Sequence, residues 1–433
     1  MEKELSRITK NGTKIFSYKN KSIHGCHISL YVKAGCMYES AEENGITHFL
    51  EHVLYRNVNA MMDGNLYSTL DRCAIELGAA TYNEMMHFNV SGEKSGFFTM
   101  ADIITHTLSP IIISNDEFKA ELGRIKAEIR ESDDRTSLST FVGGIAYEGT
   151  PLSRTILGTV GGISRITRTR LENYRKRIFT PDNLFFYVTG NFGEADLDYL
   201  ESAIDSHELS FGSGNENVAQ VPAKFGKRDA CVYVKNADFT MVRFSFDMDM
   251  SHIGRGEDDL LYDILLGGNN SRFYIEMSEQ RGMFYDISGS VEKYRNIGTF
   301  AFTYEVRAGS VYDAIKLTLA ILAKMKKSPL PEEDTMKAGY SSGAPLLLDD
   351  PRELGYTMAY ENHILDYGLS SVTERAKMYS AITPESIMMA AREIFRPENL
   401  VLGVKGNKRK IDQKRIERIL ADFAEGNLDT DEI

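Results

Sequence analysis

The sequence of 433 residues has no uninterrupted apolar run approaching 18 residues, so no membrane span is expected. Its first twenty residues, MEKELSRITKNGTKIFSYKN, have no apolar core of the kind a secretory signal needs. They are also neither Arg-rich nor poor in acids, as a transit peptide would be. A cytoplasmic location is the expectation. Cysteine is scarce. Cys26, Cys36, Cys73 and Cys231 are scattered without a CxxC pair, which excludes a disulfide framework and a cysteine-based zinc site. Excess positive charge is also missing. The 62 Asp and Glu outweigh the 50 Lys and Arg, for a net charge of −12, and phosphate binding needs the opposite balance, so nucleic acid is not an expected partner. No glycine loop with the lysine and glycine spacing of a phosphate or dinucleotide cradle is present, the pair Gly267-Gly268 included.

What is present is enough apolar residue, 42%, for a packed core in a chain too long for one typical domain. The chain also repeats itself. IFTPDNLFFYVTGN at 178–191 aligns without a gap with IFRPENLVLGVKGN at 394–407. In both, a proline-containing turn leads into an apolar β-prone run that stops at Gly-Asn. Residues 26–40 and 240–252 both alternate as half-buried strands, and both are followed by a helical pattern. The expectation is an α+β protein of two homologous domains, 1–215 and 220–433, each a mostly antiparallel sheet packed with helices, facing each other across a cleft. The boundary is expected in the Gly/Ser/Asn-rich stretch 211–224. Helices are predicted at 43–57, 65–77, 115–133, 167–177, 257–266, 311–326 and 384–394.

His48-Phe49-Leu50-Glu51-His52 is an HxxEH motif within a helical apolar pattern. On a helix, residues four apart lie one turn apart on one side, so His48 and His52 can share a metal ion, with Glu51 beside them. Zinc lowers the pKa of a bound water toward neutrality, and an adjacent carboxylate can take its proton. With nine histidines in the chain, such a motif should arise by chance in roughly one chain in a hundred. A catalytic zinc needs a third protein ligand and an open fourth position. Residues 115–134 offer Glu121 and Glu128, seven apart on one helical face, one able to ligate and the other to orient a ligand. Glu117 and Glu131 share that segment, and periodicity alone leaves a solvated acidic face equally open.

With these motifs the chain resembles the pitrilysin/insulinase family of zinc metallopeptidases, in the short-subunit branch similar to mitochondrial processing peptidase. PLSRTILGTVGGISRITRTRLENYRKRIFTPDNL at 151–184 and GGNNSRFYIEMSEQRGMFYDISG at 267–289 carry the resemblance beyond the motif. The resemblance implies a zinc cofactor held by His48, His52 and Glu128, the last standing 76 residues after His52. It implies Glu51 as general base and Glu121 as a support behind the ligands. It implies a peptide substrate held against a strand edge, with GAATYNEMMHF at 78–88 as the matching segment, and Tyr285 in substrate binding. The family's second half pairs that Tyr with an Arg seven residues earlier, where this chain has Ser278. That departure implies a homologous partner subunit supplying an Arg/Tyr pair, or otherwise a homodimer.

Overall fold

The computed structural model describes residues 3–132, 137–210, 230–235, 237, 239–267, 270–284, 286–329 and 337–428. Eleven described strands form two sheets. The first contains β1 (Leu5–Ile8), β2 (Lys14–Lys19), β3 (Gly25–Val32), β4 (Glu76–Thr81), β5 (Met86–Glu93) and β6 (Leu184–Gly190), in the order β1-β2-β6-β3-β5-β4. The second contains β7 (Ala230–Tyr233), β8 (Phe239–Asp249), β9 (Ile287–Lys293), β10 (Ile297–Arg307) and β11 (Leu400–Gly406), in the order β7-β11-β8-β10-β9. Setting β1 aside, the two orders are the same. In each, the opening strand pairs in parallel with the closing strand and every other pairing is antiparallel. The α+β duplication read from the repeat is therefore what the chain forms.

Helices α1 (Ile46–Met61), α2 (Leu66–Cys73), α3 (Phe97–Thr105), α4 (Asn115–Glu131), α5 (Leu138–Ala146), α6 (Val160–Ile163), α7 (Arg168–Ile178) and α8 (Glu194–Asp205) fall in the first half. Helices α9 (Glu257–Leu266), α10 (Val311–Met325), α11 (Lys337–Asp349), α12 (Pro351–Ala359), α13 (Val372–Ala381), α14 (Pro384–Ile394) and α15 (Gln413–Glu425) follow. All seven predicted helices are found, with ends shifted by a few residues. The apolar faces of α1, α3, α7 and α8 bury Phe49, Val53, Ile104, Leu171 and Leu200 against Ile28, Leu30, Phe88 and Phe186 of the first sheet. The second sheet has its own core, with Leu261, Ile315, Ala391 and Ile419 over Phe244, Phe246, Phe300 and Phe302. No described helix is long and apolar enough to cross a membrane.

The repeated motif has a local cause. The Asn183 side chain donates to the carbonyls of Ile178 (2.8 Å) and Lys33 (3.0 Å), and the Asn399 side chain donates to those of Ile394 (3.1 Å) and Glu393 (2.8 Å). Each buried Asn thus satisfies a carbonyl at the end of the preceding helix as the chain turns into its strand, and Asn183 also ties down the Lys33 carbonyl just beyond β3. Asn183→Ala leaves one buried and one partly buried acceptor without this donor. It is expected to lower stability by about 2 kcal/mol, read as a shifted midpoint in urea unfolding, with Asn399→Ala producing a similar loss.

The two compact units are not contiguous in sequence. One comprises residues 1–133, 150–218 and 344–374, and the other 134–149, 219–343 and 375–433. The strands of the first sheet lie between residues 5 and 190 and those of the second between 230 and 406, but one helix from each half belongs to the other unit. In the first unit, α12 buries Leu354, Met358 and Ala359 against Tyr18, Tyr31, Phe185 and Tyr187 on the outer sheet face. In the second, α5 lies on β11 and β8. A Cβ at Gly403 would come within 2.4 Å of Val142, so the strand needs glycine there to admit the helix. The stretch 211–224, where the boundary was expected, lies outside the described residues.

Candidate metal centre

Helix α1 starts at Gly45, whose φ of 89° is in the left-handed region and where a Cβ would meet the Leu157 carbonyl at 2.7 Å. No side chain of the cap residue itself closes the helix end. Instead the buried Glu39 carboxylate accepts from the N–H groups of Gly45 (2.8 Å) and Thr47 (3.0 Å), placing negative charge at the positive end of the helix. Helix α4 starts with a capping box in which Ser114 and Glu117 satisfy each other's backbone donors. Glu117 is therefore a cap and plays no part in the metal cluster.

The two helices bring His48, His52 and Glu128 together. His48 Nε2 lies 3.6 Å from Glu128 Oε1, and His52 Nε2 lies 3.6 Å from Glu128 Oε2. The three potential ligand atoms are within 4.8 Å of one another, and among the described residues this is the cluster able to hold a metal ion. The fit to zinc follows from size. Ligand atoms at roughly 2.0–2.2 Å from a tetrahedral zinc stand about 3.4 Å apart, close to the spacing found here.

Each carboxylate of the site sits in a different environment. The Glu121 side chain is only 3% exposed, and it accepts from His52 Nδ1 (3.1 Å) and from Arg56 Nε (2.7 Å). Burial would raise its pKa, but these two hydrogen bonds and the charge of Arg124 bring it below the usual carboxylate range. Glu128 is 42% exposed and faces the two imidazoles. Of the two carboxylates seven residues apart, Glu128 meets the Nε2 atoms and Glu121 stands behind His52. Glu51 accepts from the Thr81 hydroxyl at 2.5 Å. Burial raises its pKa, against the Thr81 hydrogen bond and the charge of His52.

The two histidines also differ. Burial, followed by the charge of His52, lowers the His48 pKa to about 4, so His48 is neutral at physiological pH. Burial pushes His52 the same way, but the Glu121 hydrogen bond and the nearby Glu51 and Glu128 carboxylates outweigh it, and its pKa is raised. His48 Nδ1 is buried with no hydrogen-bond partner among the described residues.

Three participants were missed in the sequence. Glu39 anchors the helix, Thr81 orients Glu51, and Arg56 neutralises Glu121. Arg56 was readable, since it lies one turn beyond His52. The segment 78–88 proves to be a hairpin rather than a single strand, with β4 ending at Thr81 and β5 starting at Met86. β4 is an edge strand of its sheet. Ser278 lies in a π-helical turn, Tyr274–Glu279, and its hydroxyl donates to the Phe284 carbonyl at 3.0 Å. Arg281 is turned back onto the Glu276 carbonyl at 2.7 Å. Tyr285 lies outside the described residues.

The second unit repeats the helix but not the chemistry. Helix α9 also begins after a left-handed glycine, Gly256, and counting from it puts Asp259 and Asp263 where His48 and His52 stand. Lys293 holds Asp259 at 2.7 Å and Asp258 at 3.0 Å, so an internal ammonium lies against the carboxylates.

An HxxEH helix whose imidazoles meet a glutamate from a second helix defines the inverted zincin class. Residues 14–160 match the insulinase family (peptidase family M16), and residues 165–338 match the M16 inactive domain. The chain belongs to the M16 family, and zinc is the cofactor its site is built for. It is 23% identical to an uncharacterized zinc protease of Mycobacterium tuberculosis over 416 residues, 91% of each chain. It is 26% identical over 182 residues to a probable mitochondrial-processing peptidase subunit beta of Arabidopsis thaliana, covering 42% of this chain and 34% of that one. The fold is shared with a protease from Helicobacter pylori at a TM-score of 0.82 and 16% identity, covering 94% of this chain and all (100%) of that one. It is also shared with a chain of complex III from Candida albicans at a TM-score of 0.76 and 14% identity, covering 96% and 99%.

Proposed function

We propose that the chain is a zinc-dependent endopeptidase acting on short or unfolded peptides or peptide precursors, and that it is the catalytic subunit of a two-subunit enzyme. The observation that carries the reading is the intact set of His48, His52 and Glu128 with Glu51 beside it. The fold carries less weight, since proteins with different roles share it. In this reading His48, His52 and Glu128 hold the metal. Zinc supplies Lewis acidity, acidifying water and polarising the scissile carbonyl. Glu51, oriented by Thr81, takes the proton of the attacking water and passes it to the leaving amine. An extended peptide pairs with the free edge of β4, whose last residue is Thr81.

Glu121 acts through His52. Its loss frees the ring and leaves Arg56 without its partner. Glu121→Ala is expected to weaken zinc binding by about 10- to 100-fold, measured by competition with a chromogenic chelator.

The two-subunit part rests on Ser278. A neutral hydroxyl engaged with a backbone carbonyl cannot supply the charge an arginine lends to a developing oxyanion. The partner is a homologous chain bearing an Arg/Tyr pair, and Tyr285 of this chain contributes to peptide binding. A non-catalytic peptide-binding subunit is the second reading, favoured by the same Ser278. A reducing, cytoplasmic setting belongs to the proposal and is supported by four free cysteines. The experiment is cleavage of a mixed peptide library by the zinc-loaded chain, alone and with candidate partner chains. Partner-dependent cleavage supports the whole reading. Full activity of the lone chain removes the partner, and zinc binding without cleavage in any combination turns the reading to a binding subunit.

A further inference from the structure

A cleft of about 430 Å³ opens beside Glu51 and His52, between α1, α2 and α4. His48 does not line it. The cleft therefore flanks one side of the metal centre, the side of the general base. Glu51 must reach the leaving amine, so the substrate residue that carries that amine is the one that meets the cleft.

Tyr55 and Tyr67 supply apolar ring surface in its walls. The Tyr55 hydroxyl is engaged, donating to the Leu77 carbonyl at 3.2 Å. The charged lining is Arg56, Arg124 and Glu121, together with Glu51. Charges can be paired off one by one. Glu51 and Glu128 offset the two positive charges of zinc. Glu121 is matched by Arg56 through the 2.7 Å hydrogen bond. Arg124 remains: its side chain is 65% exposed and reaches Glu121 Oε1 only at 3.4 Å, an oxygen that also bonds His52.

We infer that the cleft beside Glu51 is a subsite for a carboxylate, read by Arg124, so that the preferred substrate carries negative charge just beyond the scissile bond on the side of the new amino terminus. A guanidinium offers paired donors in a planar fork that matches a carboxylate, whereas a lysine at the same substrate position meets like charge. The carboxylate has two possible sources: a Glu or Asp side chain, or the terminus of a substrate that ends within a residue or two of the cut. This inference rests on the peptidase reading above for the direction of the peptide, but not for the existence of the subsite.

The test uses the zinc-loaded full chain, with its partner if one is needed for turnover. One set of amidated peptides differs only in Glu, Gln or Lys after the cleaved bond. A second set is neutral there and ends two residues later as a free acid or an amide. The wild type is expected to favour Glu over Lys by about tenfold in kcat/KM, the scale of one exposed charge pair gained and one repulsion lost. Arg124→Gln brings the ratio near one, and Arg124→Glu inverts it. If the terminus is the ligand, the free acid is preferred over the amide instead, with the same dependence on Arg124. Equal cleavage of every peptide, or a preference unmoved in Arg124→Glu, overturns the inference. Fluorescence anisotropy of the same labelled peptides on zinc-loaded Glu51→Gln reads binding without turnover. A Glu preference that Arg124→Glu reverses there keeps the subsite even where the peptidase reading fails, and equal binding removes it.

Discussion

Glu51→Gln is expected to lower peptide hydrolysis by about 10³-fold, within the range that a positioned general base contributes, while leaving bound zinc unchanged. Glutamine keeps the shape of the side chain, and its carbonyl oxygen can still accept from Thr81, as Glu51 does at 2.5 Å. It cannot take a proton from water. Because Glu51 is outside the ligand cluster, metal content by elemental analysis should match that of the parent protein. The rate should be measured wherever the parent is active, alone or with a partner chain. Loss of rate together with loss of metal would mean that the substitution disturbs the centre. An undiminished rate would take Glu51 out of the reaction.

Glu128→Ala should act the other way, on the metal first. Apparent zinc affinities of structural sites are roughly 10–16 kcal/mol, so one ligand of three or four accounts for about 3 kcal/mol, or a hundredfold in affinity. Zinc added to the variant should then give a much smaller thermal shift than it gives the parent, because a ligand stabilises in proportion to its binding to the folded state. The metal-free variant should melt close to the metal-free parent. The Glu128 side chain is 42% exposed and its helix is anchored instead by Phe118 and Ile125. Unchanged zinc stoichiometry and affinity would show that the third ligand is another group.

The chemistry was legible in the sequence wherever it depends on one helix. His48 and His52 are four residues apart, and that spacing alone places both rings on one side of α1. Glu121 and Glu128 were not separable by spacing, because a seven-residue interval puts both on one face. Burial against Arg56 separates them, and this is a tertiary fact. Thr81 was invisible, since it reaches Glu51 from the end of an edge strand with nothing in its neighbours to mark it. The fold follows the same rule. The duplicated Phe-x-Pro-acid-Asn-Leu turn was readable because Asn183 and Asn399 bond within a few residues of themselves. The placement of α5 and α12 was not readable. An apolar stripe says that a helix covers something, and it does not say which sheet.

The traded positions of α5 and α12 bear on how this chain can be taken apart. Equivalent helices given and received in both directions are what a domain-swapped pair of identical chains would leave once fused end to end. A fragment ending after the first sheet would lack α12 and leave Tyr18, Tyr31, Phe185 and Tyr187 uncovered. It would also carry α5 with Leu138 and Val142 facing water. Neither half is a free-standing piece. The zinc-bearing fragment would need the piece of chain that carries α12, and its own α5 would need the second sheet, so the two halves produced separately would be driven to associate with each other.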